Sequence, residues 1–66
     1  MKLKLNGTDS EVKDDLTVTG LLKELNIEPK GVAVEVNLII IKKLNYDSCQ
    51  LNDGDSVEIV NFVGGG

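Results

Sequence analysis

Apolar and charged residues alternate at the start of the chain. Met1, Leu3 and Leu5 fall on one side of an extended segment, with Lys2 and Lys4 on the other. That is the period of a strand with one wet face. Asn6 and Gly7 follow, the pair that most readily makes a two-residue hairpin turn because both accept positive φ. The return strand, through Ser10, Glu11, Val12 and Lys13, is shorter and more polar. It reads as an edge strand whose Lys and Glu discourage pairing with a second copy.

After Asp14, Asp15 and Leu16 the period changes. Val18, Leu21, Leu22 and Leu25 are spaced as one helical face, and Thr17 stands where an N-cap belongs. Gly20 inside this helix costs about 1 kcal/mol relative to Ala, which points to a close contact with the sheet. Asn26, Pro29 and Gly31 end it. A helix of about eight or nine residues is too short to persist alone in water and must lean on a sheet. Val32 to Val36 reads as a third strand with its valines on one side, and Asn37 breaks it. Leu38 to Ile41 is a short apolar run, expected to be a fourth strand with both faces partly covered, before Lys42 and Lys43 return to solvent. Leu44 and Tyr46 are expected to anchor an irregular connection. Asn52, Asp53 and Gly54 mark a turn, and Ser56 to Val63 alternates as the last strand.

The order is hairpin, helix, two strands and a last strand, and the long connection from Asn45 to Asp55 implies that the last strand does not simply pair with its predecessor. One mixed sheet of four to five strands with one helix packed across it satisfies this order. Leu3, Leu5, Val12, Leu16, the helix face, Val34, Val36, Val57 and Ile59 then share one core. The fold class is α+β, and the β-grasp arrangement fits, with the last strand central beside the first. Residues 1–63 form the domain and residues 64–66 a flexible tail.

Size and composition narrow the chemistry. A domain of 66 residues buries only about 60% of the surface its unfolded chain exposes, which leaves no room for an enclosed active site. The net charge of −4 argues against nucleic acid, because neutralising phosphates needs a basic face. Leu38 to Ile41 is far too short to span a bilayer, and a cytoplasmic address follows by default. Cys49 is the single cysteine and the chain has no histidine. With Asp47 and Ser48 beside it, Cys49 reads as a packing or surface residue rather than a nucleophile. Asp53 and Asp55, or Asp14 with Asp15, lack the ligand register of a metal loop. No residue reads as catalytic, and no metal or cofactor is expected on the chain itself.

The chain closes on Val63, Gly64, Gly65 and Gly66. Three glycines pack no side chain and lose the most backbone entropy on ordering. Extended, the four residues reach about 13 Å at roughly 3.3 Å per residue, enough to enter a narrow channel in another protein. A linker remnant is the bland alternative. In the last strand, Val57 and Ile59 on the helix side leave Glu58, Val60 and Phe62 facing outward. These three form a docking patch beside the tail, or Val60 and Phe62 merely cover the other side of the sheet.

Leu51, Asp53, Gly54, Asp55, Val57, Glu58 and Ile59, followed by Val63, Gly64, Gly65 and Gly66, closely resemble the small sulfur carrier proteins of the ThiS and MoaD type. The likeness extends to the opening strand, the helix from Thr17 to Leu25 and the stretch Val34, Val36, Asn37. It implies a ubiquitin-like β-grasp fold. It also implies that an E1-like adenylating enzyme, using ATP and Mg²⁺, activates the Gly66 carboxylate, while Gly64 and Gly65 thread the partner's site. Sulfur from a donor such as a cysteine desulfurase then makes a thiocarboxylate. The carrier is a co-substrate rather than an enzyme. The length and the Val-Gly-Gly-Gly ending favour the ThiS branch, in which thiazole synthase receives the sulfur during thiamin biosynthesis. A MoaD-type carrier for molybdopterin synthesis and a ubiquitin-like protein modifier are the alternatives. The chain departs from many relatives at Leu38, where Gly or a polar residue is usual, and at Lys42 and Lys43.

Overall fold

The computed structural model describes residues 1–61. The elements are β1 (Lys2–Leu5), β2 (Thr8–Glu11), α1 (Val18–Glu24), a 3-10 turn (Pro29–Gly31), β3 (Val32–Val36), β4 (Ile39–Ile41), a second 3-10 turn (Lys43–Asn45) and β5 (Ser56–Asn61). The five strands make one mixed sheet in the order β2-β1-β5-β3-β4. β5 lies in the middle, parallel to β1 and antiparallel to β3. This is the β-grasp arrangement, with the short apolar run forming β4 at one edge.

The helix begins and ends as its sequence dictates. Thr17 Oγ1 accepts from the Gly20 N–H at 3.1 Å, satisfying one of the donors a helix N-terminus leaves orphaned. The connection ahead of β5 satisfies the next two: Val18 N–H donates to the Cys49 carbonyl at 3.0 Å and Thr19 N–H to that of Tyr46 at 3.1 Å. At the other end Asn26 takes φ 56°. Ile27 N–H then reaches the Leu22 carbonyl and Asn26 N–H that of Lys23, the paired bonds of a Schellman cap. Gly20 meets Leu16 rather than the sheet, since a Cβ there would lie 3.1 Å from Leu16 Cδ2.

The core holds Leu3, Leu16, Val18, Leu21, Leu22, Val34, Val36 and Val57, as the pattern predicts, together with Val32, Tyr46 and Leu51. Leu5, Val12, Leu25 and Ile59 are half-buried and pack against it. Three expectations need correction. β2 starts two residues earlier than read, because the Asn6-Gly7 turn sets Thr8 opposite Leu5. β4 is an uncovered edge strand, with Ile39 and Ile40 exposed. Leu44 points to solvent, and Tyr46 rather than Leu44 anchors the connection, together with Leu51; burial pushes the Tyr46 hydroxyl pKa up.

The Met1 ammonium donates to the Val12 carbonyl and sits 2.8 Å from an Asp14 carboxylate oxygen. The hydrogen bond to Asp14 holds the amine above its ordinary 8.0, and the same bond holds Asp14 below its ordinary 3.8. The stabilisation from the amine is therefore complete below 8.0 and fades as pH rises through its higher folded value. The stabilisation from Asp14 is complete above 3.8 and fades as pH falls through its lower folded value. Melting curves of the parent and Asp14→Asn should differ most between pH 4 and 8 and converge on both flanks. A pH-independent difference would assign Asp14 another role.

Candidate functional site

β5 builds the end of the domain from which the glycine-rich sequence continues. Val57 is wholly buried beneath α1, and the alternation that buries it turns Glu58 and Val60 to the opposite face, where both are exposed. Glu58 stands across from Glu35 on β3, Val60 across from Ala33, and Asn61 across from Val32. Two carboxylates directly opposite one another oppose folding slightly, and Val60 is 52% exposed beside them. Two of the three residues read as a docking patch thus share the uncovered face of the sheet. The third, Phe62, lies outside the described residues, as do Gly64, Gly65 and Gly66.

The Asp-Gly-Asp segment ties the start of β5 to both of its neighbours. Asp53 Oδ1 accepts from the Lys2 N–H at 2.6 Å, and Asp55 Oδ2 accepts from the Asn52 N–H at 2.8 Å. Gly54, at φ 89°, donates its N–H to the Lys2 carbonyl at 2.7 Å. Asp55 Oδ1 also accepts from the Asn37 side-chain amide at 3.0 Å, and Asn37 Oδ1 accepts from the Ser56 N–H at 3.0 Å. The two carboxylates thus serve as backbone acceptors that fix the turn ahead of β5. Cys49 is half-buried against the core, in keeping with a packing role.

At the far end of β5 a different side chain acts. Asn6 Oδ1 accepts from the Ile59 N–H at 2.7 Å, and Asn6 Nδ2 donates to the Ile59 carbonyl at 3.2 Å. The sequence marks Asn6 only as a turn former; its second use becomes visible once β1 and β5 are known to be parallel neighbours.

Sequence reasoning also missed an apolar set on the other edge. Leu38 is 87% exposed and Leu44 82%, with Ile39 and Ile40 close behind. The signal was the dipeptide Asn37-Leu38, which occupies a two-residue turn with both residues at positive φ, 51° and 70°. Such a turn prefers Gly at its second position. Leu38→Gly should therefore stabilise the domain by about 0.5–1 kcal/mol, relief of left-handed strain outweighing the extra entropy of Gly in the unfolded chain. Urea titration reads this directly, and a loss of stability would mean that Leu38 packs on something in solution.

The sequence pattern of the ThiS family matches residues 3–66. The chain belongs to the ThiS family. It is 48% identical to the sulfur carrier protein ThiS of Bacillus subtilis, over 97% of this chain and 98% of that protein. The structure of the thiamine biosynthesis protein ThiS from Geobacter metallireducens superposes with a TM-score of 0.88 at 38% identity, each chain covered in full. The whole chain is also 47% identical to part of the thiazole synthase of Paramagnetospirillum magneticum. It spans about a fifth of the length of that protein and of a second thiazole synthase, from Magnetococcus marinus. The ThiS match agrees with the resemblance carried by the Asp-Gly-Asp turn and the terminal glycines. Among the described residues no helix is long and apolar enough to cross a membrane.

Proposed function

We propose that this ThiS-family chain is a sulfur carrier that delivers sulfur from a thiocarboxylate on Gly66 to thiazole synthase. The observation that carries this reading is the near end-to-end likeness to the Bacillus subtilis carrier. Two thiazole synthases that contain a segment similar to the entire chain support the choice of recipient. A carrier domain joined to its acceptor in one polypeptide gains effective concentration for the transfer.

The chemistry follows from the ionisation of the terminus. An α-carboxyl group has an ordinary pKa near 3.5, so at neutral pH it is an anion and a poor electrophile. Transfer of AMP from ATP, with pyrophosphate leaving and Mg²⁺ held by the activating enzyme, turns one carboxylate oxygen into part of a good leaving group. The outer sulfur of a persulfide donor such as a cysteine desulfurase displaces AMP, which departs with that oxygen, and leaves an acyl disulfide. A second thiol on the partner proteins then attacks the donor-side sulfur, breaking the S–S bond, so that the thiol pair is oxidised to a disulfide and the Gly66 thiocarboxylate is released. The chain supplies the substrate carboxylate and its presentation and performs no catalysis of its own. Gly64 and Gly65, lacking Cβ atoms, let the terminus thread a narrow site. Val60, Glu58 and Phe62 dock the body of the domain against the partner, an apolar centre with an acidic rim suited to a partner surface of the opposite charge. These steps take place in the cytoplasm.

The test is intact-mass analysis after incubation with an E1-like adenylating enzyme, ATP, Mg²⁺ and a sulfur donor. The expected product is heavier by the exchange of one oxygen for one sulfur at Gly66. Thiol-resistant conjugates to lysine, or stable association with a molybdopterin synthase large subunit, would instead favour a protein modifier or a MoaD-type carrier.

A further inference from the structure

The two hydrogen bonds between Asn6 and Ile59 do something the turn does not require. β1 and β5 run parallel, and β1 donates at every second residue: Lys4 N–H to the Asp55 carbonyl at 2.9 Å, then Asn6 N–H to that of Val57 at 2.8 Å. A continuing parallel strand would next offer the carbonyl of residue 6 to the Ile59 N–H and the N–H of residue 8 to the Ile59 carbonyl. The chain cannot do this, because it reverses at Asn6 and Gly7, with φ 48° and 82°, to form β2. The Asn6 side-chain amide supplies both missing groups. Its Oδ1 takes the Ile59 N–H and its Nδ2 meets the Ile59 carbonyl. The orientation of the amide is forced, since the flipped form would set donor against donor and acceptor against acceptor.

The result is that Ile59 is flanked on both sides, standing in register with Val34 of β3 on one and hydrogen-bonded to Asn6 on the other, although β1 has already ended. Val60 and Asn61, the last described residues, pair only with β3. The bonds to Asn6 are solvent-exposed, where a hydrogen bond adds little to global stability. Their effect is geometric: they extend the two-sided part of β5 to within seven residues of the terminal glycine at position 66.

We propose that Asn6 is a positioning residue for the terminal segment, a side-chain stand-in for a strand that keeps β5 in register up to Ile59 so that the residues beyond it depart from a fixed base. This rests on the sulfur-carrier reading for its purpose and on the ladder geometry for its existence. Without the clamp, the end of β5 must be ordered when the partner binds, and that ordering weakens binding without altering the chemistry at the carboxylate.

Asn6→Gly separates the two roles, because Gly keeps the turn while deleting both bonds. Asn6→Asp keeps the acceptor for the Ile59 N–H and the tolerance of positive φ but loses the donor. Two measurements on the full chain decide the matter. Amide hydrogen exchange should accelerate about tenfold at Ile59 in Asn6→Gly while the amides of Leu21 and Val34 keep their rates. In adenylation by the E1-like enzyme, KM should rise about three- to tenfold with kcat within about twofold, and Asn6→Asp should fall between Gly and the parent. Unchanged exchange at Ile59 overturns the proposal. So does acceleration spread evenly over the core amides, which would make Asn6 a folding residue only, or local acceleration with KM unmoved. A parent chain that no activating enzyme charges overturns the sulfur-carrier reading, and exchange at Ile59 then decides alone whether Asn6 holds the strand.

Discussion

A chain lacking Gly66 is expected to melt with the parent and to take up no sulfur. Every described core residue lies at or before Val57, so removing the last residue of the sequence takes nothing from the core. Its loss nevertheless moves the reacting carboxylate one residue, roughly 3.3 Å, back along the chain. A shift of that size removes the advantage of a positioned reactant, which is worth several orders of magnitude in rate. Gly65→Val should do comparable damage by another route, since it places a β-branched side chain next to the carbonyl that must be attacked. Intact-mass loading assays beside thermal melts provide both readouts. A Gly66 deletion that unfolds the domain, or one that still loads sulfur at the parental rate, would contradict the placement of chemistry at the terminus.

The second large effect is on stability. Leu21 is completely buried where α1 crosses the sheet, and Leu21→Ala should cost about 2–5 kcal/mol through lost transfer energy and the cavity left behind. At 66 residues, and with typically about 0.05–0.15 kcal/mol per residue, the whole domain is held by roughly 3–10 kcal/mol. This one truncation therefore removes a large fraction of what keeps the chain folded. Leu44→Ala is the matched control, the same chemical change at a residue 82% exposed, and should move stability by less than about 0.5 kcal/mol. Urea titration of both variants measures the contrast. Equal losses would mean that Leu44 is covered in solution or that Leu21 is not at the centre of the core.

The periodic parts of the chain were legible because burial imposes a period on them. The alternation of Leu3 with Lys2 and Lys4, the helical spacing of Val18, Leu21 and Leu22, and the valines of β3 each report one covered face. The capping role of Thr17 was legible too, since a hydroxyl before an apolar helical run has a specific local partner. Edges were harder to read. An uninterrupted apolar run such as Leu38 to Ile41 looks the same in sequence whether a neighbour covers it or not, and only the position of β4 outside β3 leaves Ile40 bare. Leu44 failed for a similar reason, being an isolated apolar residue in a connection with no period to place it. Asn6 shows a third limit. Its bonds to Ile59 span 53 positions in sequence, and nothing local announces them. The proposed chemistry of the terminus lies at the opposite extreme: it is read from the residue types of the last few positions, which lie outside the described residues, and draws nothing from tertiary context.

The central place of β5 has a consequence for how this molecule is made. β1, β2, α1, β3 and β4 all precede β5 in the chain, so they are made with a gap between β1 and β3 that no other strand among the described residues fills. Pairing Lys4 with Ser56 closes a loop of nearly the whole chain, the kind of non-local contact that slows folding and delays it until the last strand is available. A product broken off before Ser56 lacks the middle of its own sheet and cannot hide Leu3 or Val34. Folding thus waits on β5: a chain without Ser56–Asn61 cannot close its own sheet.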